Sequence, residues 1–154
     1  MSDKTAITAS DIVRISKAYY DAVDSGDPAR ISNAYLAAPT TTLQFNTDEP
    51  IVTVEAVKEW SAQFCNVVTV KHTGIEVWNT PLMGDVVPVN LLPGRRASTV
   101  TVVSTALPTF SVKGKGTRVA VPSASIFTID IESQRFVSVH NMFDLAKVYA
   151  AVSG

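Results

Sequence analysis

The sequence contains two histidines, His72 and His140, and both lie in segments that read as β-strands. Side chains alternate between the two faces of a strand, so His72 is predicted to share a face with Val70 and Trp78, and His140 with Phe136. A neutral imidazole in an apolar pocket can accept and return a proton near neutral pH, as isomerisation, dehydration and cyclisation all require. Both histidines are therefore candidate acid/base groups; the alternative is a half-buried histidine that is hydrogen-bonded to its neighbours.

Aromatic side chains could form the wall of a pocket around such a base. Most aromatic residues at helical or strand spacing pack in a core, so the pattern alone does not separate wall from core. Trp60, which is predicted to face the sheet from a helix, is the best candidate for a wall residue. The other candidates are Tyr20, Tyr35, Trp78, Phe110, Phe127 and Phe143.

Composition limits what the chain can be. With 154 residues, of which 46% are apolar and 18% charged, it can bury a core within a single domain spanning 1–154. The formal net charge is −1 and the basic residues are scattered, so a nucleic-acid partner is not expected. No apolar run approaches about 18 residues and the first residues lack a signal-peptide pattern, so no membrane contact and a cytoplasmic location are expected. Cys65 is the only cysteine and the histidines are far apart, so neither a metal nor a cofactor is expected.

The elements that position these residues divide the chain into a helical first half and a β-rich second half. Apolar spacing predicts helices over 11–24, 28–38 and 54–64, with a short strand at 41–46. A period of two, with many β-branched residues, predicts antiparallel strands at 67–78, 97–106, 117–131 and 135–143. The segment 81–96 is predicted to be a long loop over a pocket, and 145–152 a final short helix. The predicted class is α+β, with three N-terminal helices packed on a strongly curved antiparallel sheet.

Four segments resemble motifs of one superfamily. They are AYYDAVDSGD at 18–27, VKHTGIEVW at 70–78, the hairpin GTRVAVP and SIFTID at 116–122 and 125–130, and MFDLA at 142–146. Together with the order of helices and strands, they resemble SnoaL-like domains of the nuclear transport factor 2-like superfamily over nearly the whole chain. The resemblance implies a cone-shaped, cystatin-like α+β barrel of the polyketide cyclase, scytalone dehydratase and ketosteroid isomerase type.

The resemblance also implies roles for individual residues. Asp24 lies at the helix-one aspartate of the scytalone dehydratase family and His72 at one of its two catalytic histidines, while the second histidine has no counterpart in 99–105. Without that resemblance, Asp24 reads as a solvated carboxylate. Asp144 matches the terminal acid/base aspartate of SnoaL-like cyclases, although it could equally be the N-cap of the last helix. The further pocket positions implied by the scytalone dehydratase family are Phe45, Ser123 and Ser125, which stand where it has a tyrosine, a serine and an asparagine.

Two classes of function follow from these features. The first is a cofactor-free enzyme that cyclises, isomerises or dehydrates a hydrophobic metabolite such as a polyketide or terpenoid. Its proton would be moved by His72 with Asp24, or by Asp144 with His140. The second is a non-catalytic module that binds a small molecule or, because 140–143 also resembles nuclear transport factor 2, a protein in nucleocytoplasmic transport.

A homodimer through the sheet face is also expected. Alternating valines would leave a large apolar patch if this face were uncovered. The valines assigned to the exposed face are Val100, Val102, Val119 and Val121.

Overall fold

The computed structural model describes residues 7–78, 86–87 and 99–154. Its helices are α1 (Ala9–Asp24), α2 (Pro28–Asn33), α3 (Val54–Val67) and α4 (Leu145–Ser153). Within these ranges, no helix has both the length and the apolar character needed to cross a membrane. The strands are β1 (Ile7–Thr8), β2 (Thr42–Phe45), β3 (Ile51–Val52), β4 (Val68–Trp78), β5 (Val86–Val87), β6 (Thr99–Val112), β7 (Arg118–Ala120), β8 (Ser123–Asp130) and β9 (Arg135–Met142).

Helix α1 is fixed at both ends by local sequence. Thr8 Oγ1 accepts a hydrogen bond from the Asp11 backbone N at 3.0 Å, and the Asp11 carboxylate accepts one from Thr8 N at 3.3 Å, which together form a capping box. The helix ends at Asp24, and Gly26 follows with a φ of 68°. Its buried face packs in the main core, and its last residue lies beside β4.

Helix α2 is shorter than its apolar spacing predicts. It begins at Pro28, with Asp27 as the N-cap, and ends at Asn33 rather than continuing to residue 38. The chain leaves the helix because its backbone pairs with β9: Leu36 N donates to Phe136 O at 2.8 Å, and Phe136 N donates to Ala34 O at 2.9 Å. Sheet pairing therefore overrides the local helical pattern.

Helix α3 buries one face, which carries a serine between a valine and a cysteine. Thr53 Oγ1 caps the helix by accepting from Ala56 N at 3.3 Å. The buried residues Val57, Ser61 and Cys65 recur every four positions, so they form one face of the helix. The third predicted helix is confirmed, and this face closes one side of the cavity described below.

The α+β architecture predicted from the sequence is confirmed by helices packed on a curved seven-stranded sheet. The strand order is β3-β2-β9-β8-β6-β4, and β7 also pairs with β6. Neighbouring strands are antiparallel except for β2 and β9, which run parallel. No hairpin joins β2 to β9, so chain connectivity does not require these two strands to be antiparallel.

Strand β6 corrects the predicted dimer face. Its side chains alternate strictly, and Val100 and Val102 lie in the core with exposures of 6% and 3%. Val121 is also buried, and Val119 packs against a second apolar cluster. The valines assigned to an exposed face therefore point inward, because the sheet curls and its concave face forms the core. The outer face of β6 carries Val103 and Leu107 instead, and the homodimer stays a prediction.

A bulge in β4 separates the two ends of the strand. Thr73 pairs with Leu107 and Glu76 with Thr105, so β4 has one residue more than β6 between these pairs. Gly74 lies there with a φ of 59°, in the left-handed region. The extra residue reverses the side-chain alternation beyond it.

A substitution at Gly74 should separate backbone strain from steric clash. A Cβ at this position would meet nothing within 4 Å, so the cost of a side chain comes from the positive φ. We expect Gly74→Val to lower the free energy of unfolding by about 1–2 kcal/mol. Gly74→Asn should cost less, because asparagine tolerates the left-handed region better. Urea denaturation of the two variants measures the difference, and equal losses would contradict the explanation.

The predicted 81–96 loop falls mostly outside the described residues. Within it, the structure describes Val86–Val87, whose backbone pairs antiparallel with Ile7–Thr8 of β1. The segment therefore includes a short strand that the glycine and proline content did not predict.

Candidate active site

A short contact joins the end of α1 to the edge strand β4. His72 Nδ1 lies 2.6 Å from Asp24 Oδ1, and the same carboxylate accepts from the His72 backbone N at 3.0 and 3.2 Å. This backbone N–H is free to bond outward because β4 is the last strand of the sheet path. An ionised carboxylate only accepts hydrogen bonds, so a neutral His72 carries its proton on Nδ1 and leaves the lone pair on Nε2.

Burial sets the protonation state of this pair. The side chains of His72 and Asp24 are 10% and 13% exposed. Burial lowers the pKa of His72 below the ordinary value of 6.5, and the hydrogen bond and charge of Asp24 partly oppose that change. His72 is therefore a neutral base at neutral pH, oriented by a carboxylate.

The lowered pKa of His72 predicts how stability changes with pH. Between the folded pKa and the unfolded value of 6.5, the unfolded chain binds a proton at this site and the folded protein does not. This contribution to stability is thus fully present above pH 6.5 and is lost as the pH falls through 6.5 toward the folded pKa. We expect the difference in unfolding free energy between wild type and His72→Gln to shrink over that interval in urea denaturation. A difference that stays constant with pH would contradict the assignment.

His72 and most of the predicted pocket residues line one cavity of about 70 Å³. A single buried water molecule needs only about 10–15 Å³, so the cavity has room for more than one. Its side chains come from α1, α2, α3, the sheet, the start of α4 and Phe143, which lies between β9 and α4. The apolar and aromatic members include Tyr20, Val23, Ile31, Leu43, Val70, Pro108 and Leu145, and the other polar members are Ser61, Cys65, Ser123, Ser125 and Asn141.

A closed circuit of aromatic rings forms much of the cavity wall. Consecutive ring centroids lie 4.7, 5.0, 6.1, 5.5 and 5.9 Å apart, which is the normal range for packed aromatic pairs. We call this circuit the aromatic collar. In order around the circuit it consists of Phe45, Trp60, Phe64, Phe110 and Phe143. The placement of Phe45 and Trp60 in the cavity wall agrees with the sequence prediction.

Several polar groups of the cavity lie on the sheet or beside it. The Tyr20 ring lies 4.7 Å from the His72 ring, and its hydroxyl donates to Ser104 Oγ at 2.9 Å. Burial raises the pKa of Tyr20, so its phenol stays protonated. Ser125 Oγ donates to Asn141 Oδ1 at 2.7 Å. These bonds hold a small polar network next to the base.

Three of the four predicted catalytic residues, Asp24, His140 and Asp144, do not line the cavity, although Asp24 contacts His72, which does. His140 lies on the opposite face of β9 from the cavity residue Asn141, and its Nε2 lies 2.6 Å from the backbone O of Asn46. A bulge between Phe136 and Ser138 reverses the alternation on which the prediction relied. Asp144 is exposed and accepts from Lys147 N at 3.0 Å as the N-cap of α4. The N-cap interpretation, which the sequence left open, is the one that the structure shows.

Three predicted wall aromatics do not line the cavity, and one of them, Tyr35, is buried in the main core with its hydroxyl 2.9 Å from that of Tyr19. Trp78 is 58% exposed, because the bulge at Gly74 turns it to the outer face, where Nε1 donates to Thr105 Oγ1 at 3.3 Å. Phe127 is fully buried and packs against Tyr20, with ring centroids 5.9 Å apart, beneath the cavity rather than in its wall. Ser123 and Ser125 line the cavity as predicted.

Sequence reasoning missed Ser61 and Asn141. Ser61 lies on the inward face of α3, but the apolar spacing that predicts this helix identifies only its apolar neighbours. Asn141 follows His140 directly, and only the bulge in β9 reveals that it, and not the histidine, faces inward.

Among the described residues, no group of three or more His, Cys, Asp or Glu side chains could hold a metal ion.

The structure has the α+β cone fold of ketosteroid isomerase-like proteins. A ketosteroid isomerase-like protein from Erwinia carotovora atroseptica aligns with a TM-score of 0.67 and 13% identity, covering 94% of this chain and 98% of that one. A proposed polyketide cyclase from Xanthomonas campestris aligns with a TM-score of 0.63 and 15% identity, covering 93% and 97%.

An epoxide hydrolase of the LEH-like type from M. tuberculosis also has this fold, with a TM-score of 0.60, 10% identity, and coverage of 93% and 90%. No protein-family model matches the sequence, and no curated protein sequence is similar to it. The resemblance inferred from the motifs is confirmed at the level of fold.

Proposed function

We propose that this protein is a cofactor-free enzyme that moves a proton on a small apolar molecule held in the cavity. The observation that carries the proposal is the 2.6 Å contact between His72 Nδ1 and Asp24, which leaves Nε2 as the basic atom of a residue in an apolar wall. Among the described residues, no side chain or backbone group hydrogen-bonds to Nε2. This arrangement is typical of a general base oriented by a carboxylate.

The chemistry follows from the protonation states. The Nε2 lone pair of His72 accepts a proton from an acidic carbon of the substrate, and the C–H electrons move into the substrate's unsaturated system. The resulting imidazolium is stabilised by the charge of Asp24. It then returns the proton to another carbon, which completes an isomerisation, or to a departing hydroxyl, which completes a dehydration. In a cyclisation, the carbanion attacks a carbonyl carbon of the same molecule, and the proton goes to the alkoxide oxygen that this attack forms.

The sheet-side network could stabilise negative charge that develops on a substrate oxygen. Asn141 Oδ1 is occupied by Ser125, so the amide N–H groups of Asn141 are the donors available to the cavity. Preorganised donors of this kind stabilise the transition state because they need little reorganisation during the reaction. The substrate class proposed is a polyketide- or terpenoid-like molecule, which agrees with the isomerase-like and cyclase-like proteins that share the fold.

The proposal can be tested with 5-nitrobenzisoxazole, a flat apolar probe that needs only a base. Removal of its C3 proton breaks the N–O bond and yields a nitrile and a coloured phenolate, so the atoms and electrons balance without a cofactor. We expect the wild-type protein to accelerate this reaction with saturation kinetics, well beyond free imidazole at the same concentration and pH. A rate no greater than that of free imidazole would contradict the proposed function.

The alternative function, a non-catalytic module that binds a small molecule or a transport partner, predicts a different result. Such a module has no need for an oriented base in its cavity, whereas Asp24 makes three contacts to His72. Binding of the probe to the cavity without turnover would favour the module.

A further inference from the structure

Two buried serines have hydroxyl groups without a hydrogen-bond partner among the described residues. They are Ser16 on α1, which is 0% exposed, and Ser61 on α3, which is 1% exposed. Buried polar groups are almost always paired, because an unpaired hydroxyl gives up its bonds to water without replacement. The two serines differ in one respect that matters: Ser61 lines the cavity, and Ser16 does not.

Ser61 lies on the helical side of the cavity, whereas His72, Ser125 and Asn141 lie on strands of the sheet. The neighbours of Ser61 on the buried face of α3 cannot act as strong hydrogen-bond partners for its hydroxyl. Val57 is apolar, and burial raises the pKa of Cys65 and keeps its thiol protonated. The cavity therefore has polar groups both on α3 and on the strands of the sheet.

We propose that Ser61 is a specificity-determining residue, whose hydroxyl binds an oxygen atom of the ligand. The inference rests on the proposed function, since it assumes that the cavity holds a small molecule. It narrows the substrate class to a ring-containing apolar molecule with a hydroxyl or carbonyl oxygen at the end that meets α3, distinct from the carbon that His72 deprotonates. A serine hydroxyl both donates and accepts, so either kind of oxygen fits.

Phenol and toluene are suitable probes because they have nearly the same shape and differ by one hydroxyl. Their dissociation constants can be measured from amide NMR titrations of the wild type, Ser61→Ala and Ser16→Ala. We expect the wild type to bind phenol about tenfold more tightly than toluene, the ratio that a single net hydrogen bond supplies. Ser61→Ala should lose this preference and bind toluene at least as tightly as phenol, because the phenol hydroxyl then loses its bonds to water without replacement. Ser16→Ala, which removes an equally buried and unpartnered hydroxyl outside the cavity wall, should keep the preference.

The possible failures are distinguishable. If Ser61→Ala keeps the preference for phenol while both probes still perturb the cavity amides, the role of Ser61 is overturned and the proposed function stands. If neither probe perturbs the cavity amides of the wild type, the proposed function fails, and this inference fails with it. Ser61→Cys, which keeps a weaker donor in nearly the same volume, should give an intermediate preference, and an unchanged one would also overturn the role.

Discussion

Replacing His72 by glutamine is expected to lower kcat/KM for 5-nitrobenzisoxazole by about 10²- to 10⁴-fold, the usual contribution of a positioned general base. The glutamine amide can still donate a hydrogen bond to Asp24, so the fold should be retained. It has no basic lone pair, so it cannot accept the proton. Initial rates at neutral pH, with circular dichroism as a check on folding, measure the loss.

His140→Gln is the matched control for this experiment. His140 is the second of the two histidines, and it lies on the outer face of β9 with Nε2 bonded to the backbone of Asn46. Its replacement should leave the rate unchanged. Equal losses in both variants would indicate a general effect of losing a histidine, and a full rate in His72→Gln would refute the assignment of the base.

The helices could be predicted from sequence because their signals are local. The cap at Thr53 lies within three residues of the group it binds, and so does the Thr8 and Asp11 capping box, although helix α1 was predicted to begin at residue 11 and begins at Ala9. Helix α2 shows the limit of such signals. Its apolar spacing continues past Asn33, but the backbone after it pairs with Phe136, about a hundred residues further along the chain.

The faces of the strands were predictable only as far as the first bulge. Alternation correctly places Val70 and His72 on the inner face of β4, and it fails for Trp78, beyond Gly74. The same error displaces His140 on β9. One extra residue moves every later side chain to the other face, and a sequence pattern of period two does not reveal where that residue is.

The pairing of Asp24 with His72 could not be derived from spacing, because 48 residues separate them. The family resemblance singled out both residues, and the geometry now shows that they touch. Asp144 shows the opposite case. The resemblance implied an inward-facing acid/base group. An aspartate directly before a helix can instead accept a hydrogen bond from one of the first backbone N–H groups of that helix, and Asp144 does so.

Replacing Asp24 is expected to lower both the free energy of unfolding and the rate of catalysis, and the two losses can be measured separately. Asp24→Ala leaves the backbone N–H and the Nδ1–H of His72 without their acceptor in a largely buried site. We expect it to lower the free energy of unfolding by about 1–3 kcal/mol, which is the cost of leaving a buried hydrogen-bond donor without an acceptor. Asp24→Asn keeps one acceptor and should cost less. Asp21→Asn, which changes an exposed carboxylate on the same helix, is the control and should leave stability unchanged in urea denaturation.

Asp24→Asn also tests whether the carboxylate acts on the proton transfer through His72. The imidazolium formed in the reaction loses its charge partner, so kcat/KM for the probe should fall by about 10²-fold or more. Asp24 raises the pKa of His72 against the larger effect of burial, so its neutralisation lowers that pKa further. The acid limb of the kcat/KM profile, which reports the pKa of the free enzyme's base, should therefore move to lower pH than in the wild type. A purely structural role for Asp24 would reduce the rate without moving this limb, so an unmoved limb would refute the positioning role.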